Sequence, residues 1–587
     1  MNIRDIKSPA DIKSLGIDEL KDVASQIRSA LLDKLSHYGG HIGPNLGMVE
    51  MTIALHYVFN SPIDKFVFDV SHQSYAHKML TGRVQAFLDA SHYGDVSGYT
   101  NPAESPHDHF TIGHTSTSVA LAGGLAVARD MKHESSNIIS IIGDGSLSGG
   151  EAFEGLDFGA TLRSNFIVIV NDNDMSIAEN HGGIYGNLAQ LRQGKGKADT
   201  NLFTAMGYDY RYLDNGNDLS ALIDLFKEVK DYPRPIILHI KTIKGMGYAP
   251  AEEHKEMYHW NLPFDLTTGA ILGTPPTETY ASIFTEHMLQ KMQQDATVAV
   301  ITAGTPGVIG FTPEKRQQAG SQFIDVGIAE QDAVALASGM AKGGARPCFG
   351  VVSSFIQRAY DQLSQDVAIN SNAAVLSIFA GTIAGMNDVT HLGWFDIPLI
   401  SNIPGWVFLA PTNAEEYLAM LDWAMSQRQY PVAVRVPGGK VLHATAPVDT
   451  DYSKLNTYSV VRRGSKVAII GAGAFLSLAE ATADALNTHN INATVINPRY
   501  LSGIDTSLLD ELKSDHTLVI TLEDGALAGG FGEKIAAYYG TSTMRVKCYG
   551  APDRFIDRYN ARDLLRECHL APDLLSADII GIINSVD

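Results

Sequence analysis

Asn137-Ile138-Ile139-Ser140-Ile141-Ile142-Gly143-Asp144-Gly145 and, about thirty residues on, Phe166-Ile167-Val168-Ile169-Val170-Asn171-Asp172-Asn173-Asp174-Met175 are the two runs that decide the fold. Each opens on an apolar stretch short enough for a strand and rich in β-branched residues, and each ends abruptly on glycine or polar residues. Gly149-Gly150 follows the first run, with a helix expected to start near Glu151. A similar apolar run at 235–240 also alternates with helical patterns, which predicts a parallel sheet with helices on both faces. Asp144 and Asn173 then stand at the C-terminal ends of neighbouring strands, the edge where such sheets bind ligands.

Outward from this core the pattern repeats. Leu20, Val23, Ala24, Ile27, Leu31 and Leu35 recur at helical spacing, with Asp18 as the expected N-cap and Gly39-Gly40 as the stop. Residues 261–279, with Pro263, Gly269, Gly273, Pro275 and Pro276, read as a linker. A second unit has strands expected at 297–302, 347–352, 374–379 and 432–436. The polar stretch 437–457 reads as another linker, and a third unit opens at 466–470. Its Gly471-Ala472-Gly473 lacks the third glycine of a dinucleotide fingerprint and has Phe475 at the bend, so an ordinary strand-to-helix turn is expected. The expectation is an α/β chain of three domains, each a mostly parallel sheet with helices on both faces, bounded at 1–270, 278–440 and 455–587. A chain of 587 residues is too long for one core.

Apolar residues make up 45% and charged residues 19%, and no long uncharged apolar run occurs, so a soluble protein away from membranes is expected. The 44 basic residues against 65 acidic ones give a net charge of −21, which disfavours nucleic acid as a partner and points to small molecules. The first thirteen residues mix Arg, Asp and Lys without an apolar core, so a cytoplasmic location is expected. Cys348, Cys548 and Cys568 are far apart and odd in number, which argues for buried, inert thiols.

A carboxylate at Asp144, an amide oxygen at Asn173 and a backbone carbonyl nearby form a hard-oxygen set suited to Mg²⁺ with phosphate oxygens and water. Gly143 and Gly145 let backbone N–H groups approach a diphosphate. Gly-Asp-Gly alone would be only a tight turn; the Asn-Asp-Asn that follows at this spacing resembles the thiamine-diphosphate fingerprint. The segments 143–154 and 171–177 resemble those of 1-deoxy-D-xylulose-5-phosphate synthases in the transketolase superfamily. So do Gly39-Gly40-His41, the block 69–78, Gly113-His114-Thr115, Lys244-Gly245-Met246-Gly247, the blocks 325–331 and 354–362, Gly529-Gly530-Phe531-Gly532 and Pro552-Asp553-Arg554-Phe555.

The resemblance spans nearly the whole chain and implies a transketolase-like fold and a transferase making or breaking a carbon–carbon bond beside a carbonyl, with thiamine diphosphate and Mg²⁺ as cofactors. By that likeness Asp144, Asn173 and the backbone oxygen of Met175 hold Mg²⁺. His72, Gly113, His114, Thr115, Gly143, Gly145, Ser146, Lys244 and Phe355 contact the cofactor, Phe355 by stacking on its pyrimidine. Glu330 meets the pyrimidine N1′ and activates the thiazolium C2. His41, His259, His391 and Arg358 serve the substrates. The donor would be pyruvate, a 2-oxo acid that loses CO₂, and the acceptor an aldehyde; a role in isoprenoid precursor synthesis and a homodimer with the cofactor between the first two domains come with the likeness. Two other readings are a transketolase moving a ketol unit from a ketose donor and an inactive regulatory relative; intact Asp144, Asn173 and Glu330 speak against the last.

The chain departs from the synthase pattern at the acceptor end. Ala380 and Gly438 stand where the family has arginines for the acceptor phosphate, Asn387 replaces an aspartate with Asp388 beside it, and Val352 replaces a tyrosine. The stretch between Met175 and 235 is shorter than in the synthases. The expected acceptor is therefore glyceraldehyde 3-phosphate, as the resemblance implies, or, since the two arginines are absent, an unphosphorylated or different aldose.

Overall fold

The structure, a computed structural model, describes residues 1–273 and 276–585; Pro275 of the first expected linker lies outside them. Two compact units emerge, residues 1–275 with Val326–Ala329, and 276–325 with 330–587.

In the first unit β1 (Lys65–Phe68), β2 (Ile138–Gly143), β3 (Phe166–Asp172), β4 (Asp209–Leu213) and β5 (Pro235–Lys241) form an all-parallel sheet of order β1-β2-β3-β5-β4. Alternate side chains of β2 and β3 enter opposite cores, because helices cover both faces. Ile139, Ile141, Ile167 and Ile169 join the cluster of the helix Ile17–Tyr38, while Ile138, Ile142, Phe166, Val168 and Val170 join the one beneath Ser118–Met131. Full burial of each such side chain contributes about 1.5–3 kcal/mol. The helix Ile17–Tyr38 is capped by Gly16, whose N–H is taken by Glu19, which corrects the expected N-cap at Asp18; Asp18 instead lies in the first turn, where its charge favours the helix N-terminus. Its end at Gly39, φ +81°, is the predicted glycine stop.

The second unit holds two sheets. β6 (Val298–Thr302), β7 (Phe323–Asp325), β8 (Arg346–Val352), β9 (Val375–Phe379), β10 (Val407–Leu409) and β11 (Val432–Arg435) make a parallel sheet of order β10-β11-β9-β8-β6-β7. β12 (Ser459–Arg462), β13 (Lys466–Gly471), β14 (Thr494–Asn497), β15 (His516–Ala526) and β16 (Arg545–Ala551) follow in the order β12-β14-β13-β15-β16, with only β12 antiparallel. Residues 471–475 make the ordinary turn expected after β13. Cys348 is buried, as expected, and burial pushes its thiol pKa up; Cys548 and Cys568 are only partly buried, and all three are free thiols.

Candidate functional site

The register of the first sheet sets the site. Gly143 pairs with Asn171 and Asp172 with Lys241, so Asp144, Asn173 and Thr242 leave β2, β3 and β5 at one level. Asp144 is 1% exposed. Its Oδ2 accepts the N–H of Met175 at 3.0 Å and Nδ2 of Asn180 at 2.7 Å, and its Oδ1 accepts the N–H of Asn173 at 3.4 Å. Burial, and then the charge of Asp172, push its carboxyl pKa up. Asp172 is itself held down despite burial, by His239 at 2.7 Å and Arg192 at 2.8 Å.

Around Asp144, three oxygens are buried without a hydrogen-bond partner: Oδ1 of Asn173, Oδ1 of Asn180 and Oγ of Ser176. Buried polar atoms are nearly always satisfied, so such a group beside a carboxylate fits an oxygen-seeking cation. Gly145 is required by close approach: a Cβ there would lie 2.8 Å from the Ser176 Cα. A Cβ at Gly143 would meet nothing within 4 Å, so that glycine leaves open space.

Lys244, also buried, donates from Nζ to the Ser176 carbonyl at 2.6 Å and lies 3.2 Å from Nδ1 of His259. Burial lowers its pKa to about 7 and holds His259 well below the ordinary imidazole range. The ring of His259 lies 5.2 Å from that of His72 and 5.7 Å from that of His41, and His41 is 4.8 Å from His72. The backbone supports this cluster: Asn45 Nδ2 donates to the carbonyls of His41 and His72, and Gly40 pairs with Asn261. Gly113, His114 and Thr115 run into a turn whose N–H groups at Ser116 and Ser118 are taken by the buried carboxylate of Asp69 at 2.8 and 3.0 Å. The carbonyl of Ser146 accepts Oγ of Ser116 at 2.8 Å, tying that turn to 144–148.

Sequence reasoning assigned no role to Asp69, Tyr99, Ser176 or Asn180. Tyr99 stacks edge-on against His41 at 5.9 Å. For Asp69 the available signal was its place directly after an apolar run, the same position relative to its strand that singled out Asp144.

In the second unit Glu330 starts the helix Glu330–Lys342 and is 3% exposed. Burial pushes its pKa up against the pull of Arg358, whose Nη1 is 3.4 Å from Oε2. Phe355 meets His391 edge-on at 5.5 Å. Nδ1 of His391 is 2.9 Å from Oδ1 of Asp388, which also accepts Oγ1 of Thr390 at 2.5 Å. Asn387 turns the other way, donating to the Tyr559 carbonyl at 2.9 Å, so Asp388 is the acid paired with His391.

The residues expected to act together thus form two groups. Asp144, Asn173, Met175, Lys244, His259, His41 and His72 are linked in one, with the 113–115 segment adjoining, and Glu330, Arg358, Phe355 and His391 lie in the other unit. Comparison with known proteins matches residues 3–200 to the 1-deoxy-D-xylulose-5-phosphate synthase family, 277–441 to the transketolase pyrimidine-binding domain and 457–574 to the transketolase C-terminal domain. A 1-deoxy-D-xylulose-5-phosphate synthase of Symbiobacterium thermophilum is 37% identical, over 98% of this chain and 94% of its own. One from Listeria monocytogenes is also 37% identical, over 95% and 93%. The chain belongs to the 1-deoxy-D-xylulose-5-phosphate synthase family. It is accordingly a transferase of transketolase-like α/β fold, in a family that works with thiamine diphosphate.

The second unit shows how the two positions expected to lack an acceptor arginine, Ala380 and Gly438, are built. Ala380 has φ +56°, in the left-handed region. A Cβ at Gly438 would lie 2.6 Å from the Thr382 Cβ and 2.8 Å from its Oγ1, so Thr382 fills the space that a side chain there needs. Arg435 is close by in sequence but committed: Nε and Nη2 hold Asp396 at 2.6 and 3.0 Å, and Nη2 also reaches the Asp524 carbonyl at 2.8 Å.

Proposed function

We propose that this transferase decarboxylates pyruvate and joins the two-carbon unit to an aldehyde that carries no phosphate. The observation that carries the acceptor assignment is the closed position at Gly438, with Thr382 against it and Arg435 bound to Asp396. A phosphate placed there would be desolvated without a guanidinium, at a cost a neutral hydroxyl does not incur.

Mg²⁺ fits Asp144, Asn173 and the Met175 carbonyl: the first two offer a carboxylate and an unsatisfied amide oxygen. Gly113, His114, Thr115, Gly143, Gly145, Ser146 and Lys244 are the proposed contacts of thiamine diphosphate in the first unit. The cofactor supplies the nucleophilic carbon and the electron sink. Glu330, its pKa raised by burial, is the carboxyl proposed to exchange a proton with a ring nitrogen, and Phe355 offers a face for stacking. Arg358 supplies a cation for the donor carboxylate, and His41, His72, His259 and His391 are placed to exchange protons with hydroxyl and carbonyl oxygens. The proposal includes a cytoplasmic homodimer with domains at 1–270, 278–440 and 455–587; among the described residues no helix is long and apolar enough to cross a membrane.

The test is CO₂ release from pyruvate with matched aldehydes, with products read by mass. Release with an unphosphorylated aldehyde product supports the reading. No CO₂ from any 2-oxo acid would sink it and leave ketol transfer between sugars.

A further inference from the structure

Away from these residues, a buried polar chain runs under β1. His56, on the helix Val49–Val58, is fully buried, and its Nε2 lies 2.9 Å from Nδ1 of His77. Nε2 of His77 is 2.9 Å from Oδ1 of Asp108. Asp108 also accepts Nη1 and Nη2 of Arg83 at 2.7 and 2.9 Å and the N–H of Asn101 at 2.8 Å. Glu104 accepts the N–H of Ser97 at 2.6 Å and Nζ of Lys78 at 2.5 Å. The segment 97–112 is thus pinned at Asp108 and Glu104; it carries Tyr99 against His41 and continues into Gly113-His114-Thr115.

The donors follow from this chain. Asp108 is held ionised, its pKa far below the carboxylate range because His77 and Arg83 outweigh its burial. Nε2 of His77 therefore donates to it, Nδ1 of His77 accepts, and Nε2 of His56 donates. That leaves Nδ1 of His56 as a lone pair, buried and without a partner.

We propose that His56 and His77 form a proton-operated latch on the 97–112 segment, closed while the pair carries no extra proton and opened by the uptake of one. Wherever an added proton enters the pair, it ends as an N–H at Nδ1 of His56. Should His77 take it, both its nitrogens donate, and His56 must accept at Nε2 and carry its own hydrogen on Nδ1. A buried N–H with no acceptor is costly, and here it comes with a positive charge.

The surroundings offer that charge no net relief. Lys13, Lys78, Arg83, His107 and His109 oppose it; Asp108 favours it at His77 through the bond it already makes, but burial outweighs that pull, and Asp108 and Glu104 are already matched by Arg83 and Lys78. Burial and these neighbours hold His56 well below the imidazole range and His77 below it. For histidines depressed in the closed form, closure is favoured above the open-state pKa and is lost as pH falls below it. With that pKa at about 6.5, one proton raises the opening constant about tenfold between about pH 7.5 and about pH 5.5.

The experiment is amide hydrogen exchange on the full chain at both pH values, corrected for intrinsic rates, following peptides over 97–112 with β13 as reference. Opening of 97–112 should rise about tenfold or more at the lower pH while β13 does not change. His56→Gln should diminish the rise, because the glutamine amide can turn to donate to a neutral His77 or accept from a charged one, leaving only the cost of burying the His77 charge. His77→Gln keeps the lone pair on His56 and should keep a rise of about tenfold. A wild-type rise below about threefold, or an undiminished rise in His56→Gln, overturns the latch. Should His56→Gln fail to fold, a flat response in the wild type or in His77→Gln overturns it equally.

Discussion

An arginine placed at 438 should gain no grip on phosphate unless Thr382 is cut back first. The new Cβ would stand 2.6 Å from the Thr382 Cβ, well inside van der Waals contact, and Thr382 is buried with Oγ1 accepting the N–H of Ala384 at 3.1 Å. Overpacking of this kind costs about 1–3 kcal/mol, so Gly438→Arg alone should lower thermal stability and gain no preference for phosphate. Thr382→Gly with Gly438→Arg removes all three close atoms, Cβ, Oγ1 and Cγ2. The guanidinium can then meet a phosphate, and one charge-assisted contact of about 1.5–3 kcal/mol corresponds to about ten- to a hundredfold. The assay is the ratio of kcat/KM for glyceraldehyde 3-phosphate and for glyceraldehyde, with thermal unfolding of each variant. Should Gly438→Arg alone acquire the phosphate preference without loss of stability, Thr382 closes nothing and the steric reasoning is wrong.

Glu330→Gln should retain cofactor affinity within about tenfold and lose about a hundred- to ten-thousandfold in turnover, read by calorimetry and steady-state rates; near-normal turnover with cofactor bound would remove Glu330 from the chemistry. Asp144→Ala should abolish Mg²⁺-dependent uptake of thiamine diphosphate in calorimetry, and unchanged affinity would move the metal elsewhere. Asp172→Ala leaves Arg192 and His239 facing each other without their shared carboxylate, and should destabilise the protein by about 3–5 kcal/mol in denaturant unfolding. A loss below about 0.5 kcal/mol would show that the pair contributes little.

The strands that sequence reasoning found, β2, β3, β5, β6, β8, β9, β11 and β13, have unbroken apolar runs that are visible without partners; β10 and β14 are as buried but only three and four residues long, and were missed. It passed over β1, whose apolar run is only Phe66 to Phe68 between Lys65 and Asp69, and β4, where Asp209-Tyr210-Arg211-Tyr212 lies partly exposed at the sheet edge. It also passed over β15, which is eleven residues long and buries Glu523 and Asp524. Glu523 is matched by the N–H groups of Phe531 and Gly532, and Asp524 accepts the N–H of Ile383. Those partners are fixed only by tertiary contact, so the local pattern argues against a strand. At the site, Asp144 and Asn173 were legible because both follow strands directly. The left-handed backbone at Val70 and Ser71, φ +57° and +67°, was not, since neither residue type signals such a conformation.

The bond from Arg435 to the Asp524 carbonyl has a consequence for how the chain comes apart. It is joined by Ile383 N–H to Asp524, by the Tyr559 hydroxyl to the Ile383 carbonyl at 2.7 Å, and by the pairing of Leu409 with Tyr500. These links leave neither of the last two sheets able to melt without stripping buried donors or acceptors from the other. The second unit should therefore absorb heat as a single cooperative transition, and a fragment ending near residue 441 would be a partly unsatisfied remnant rather than an independent folding domain.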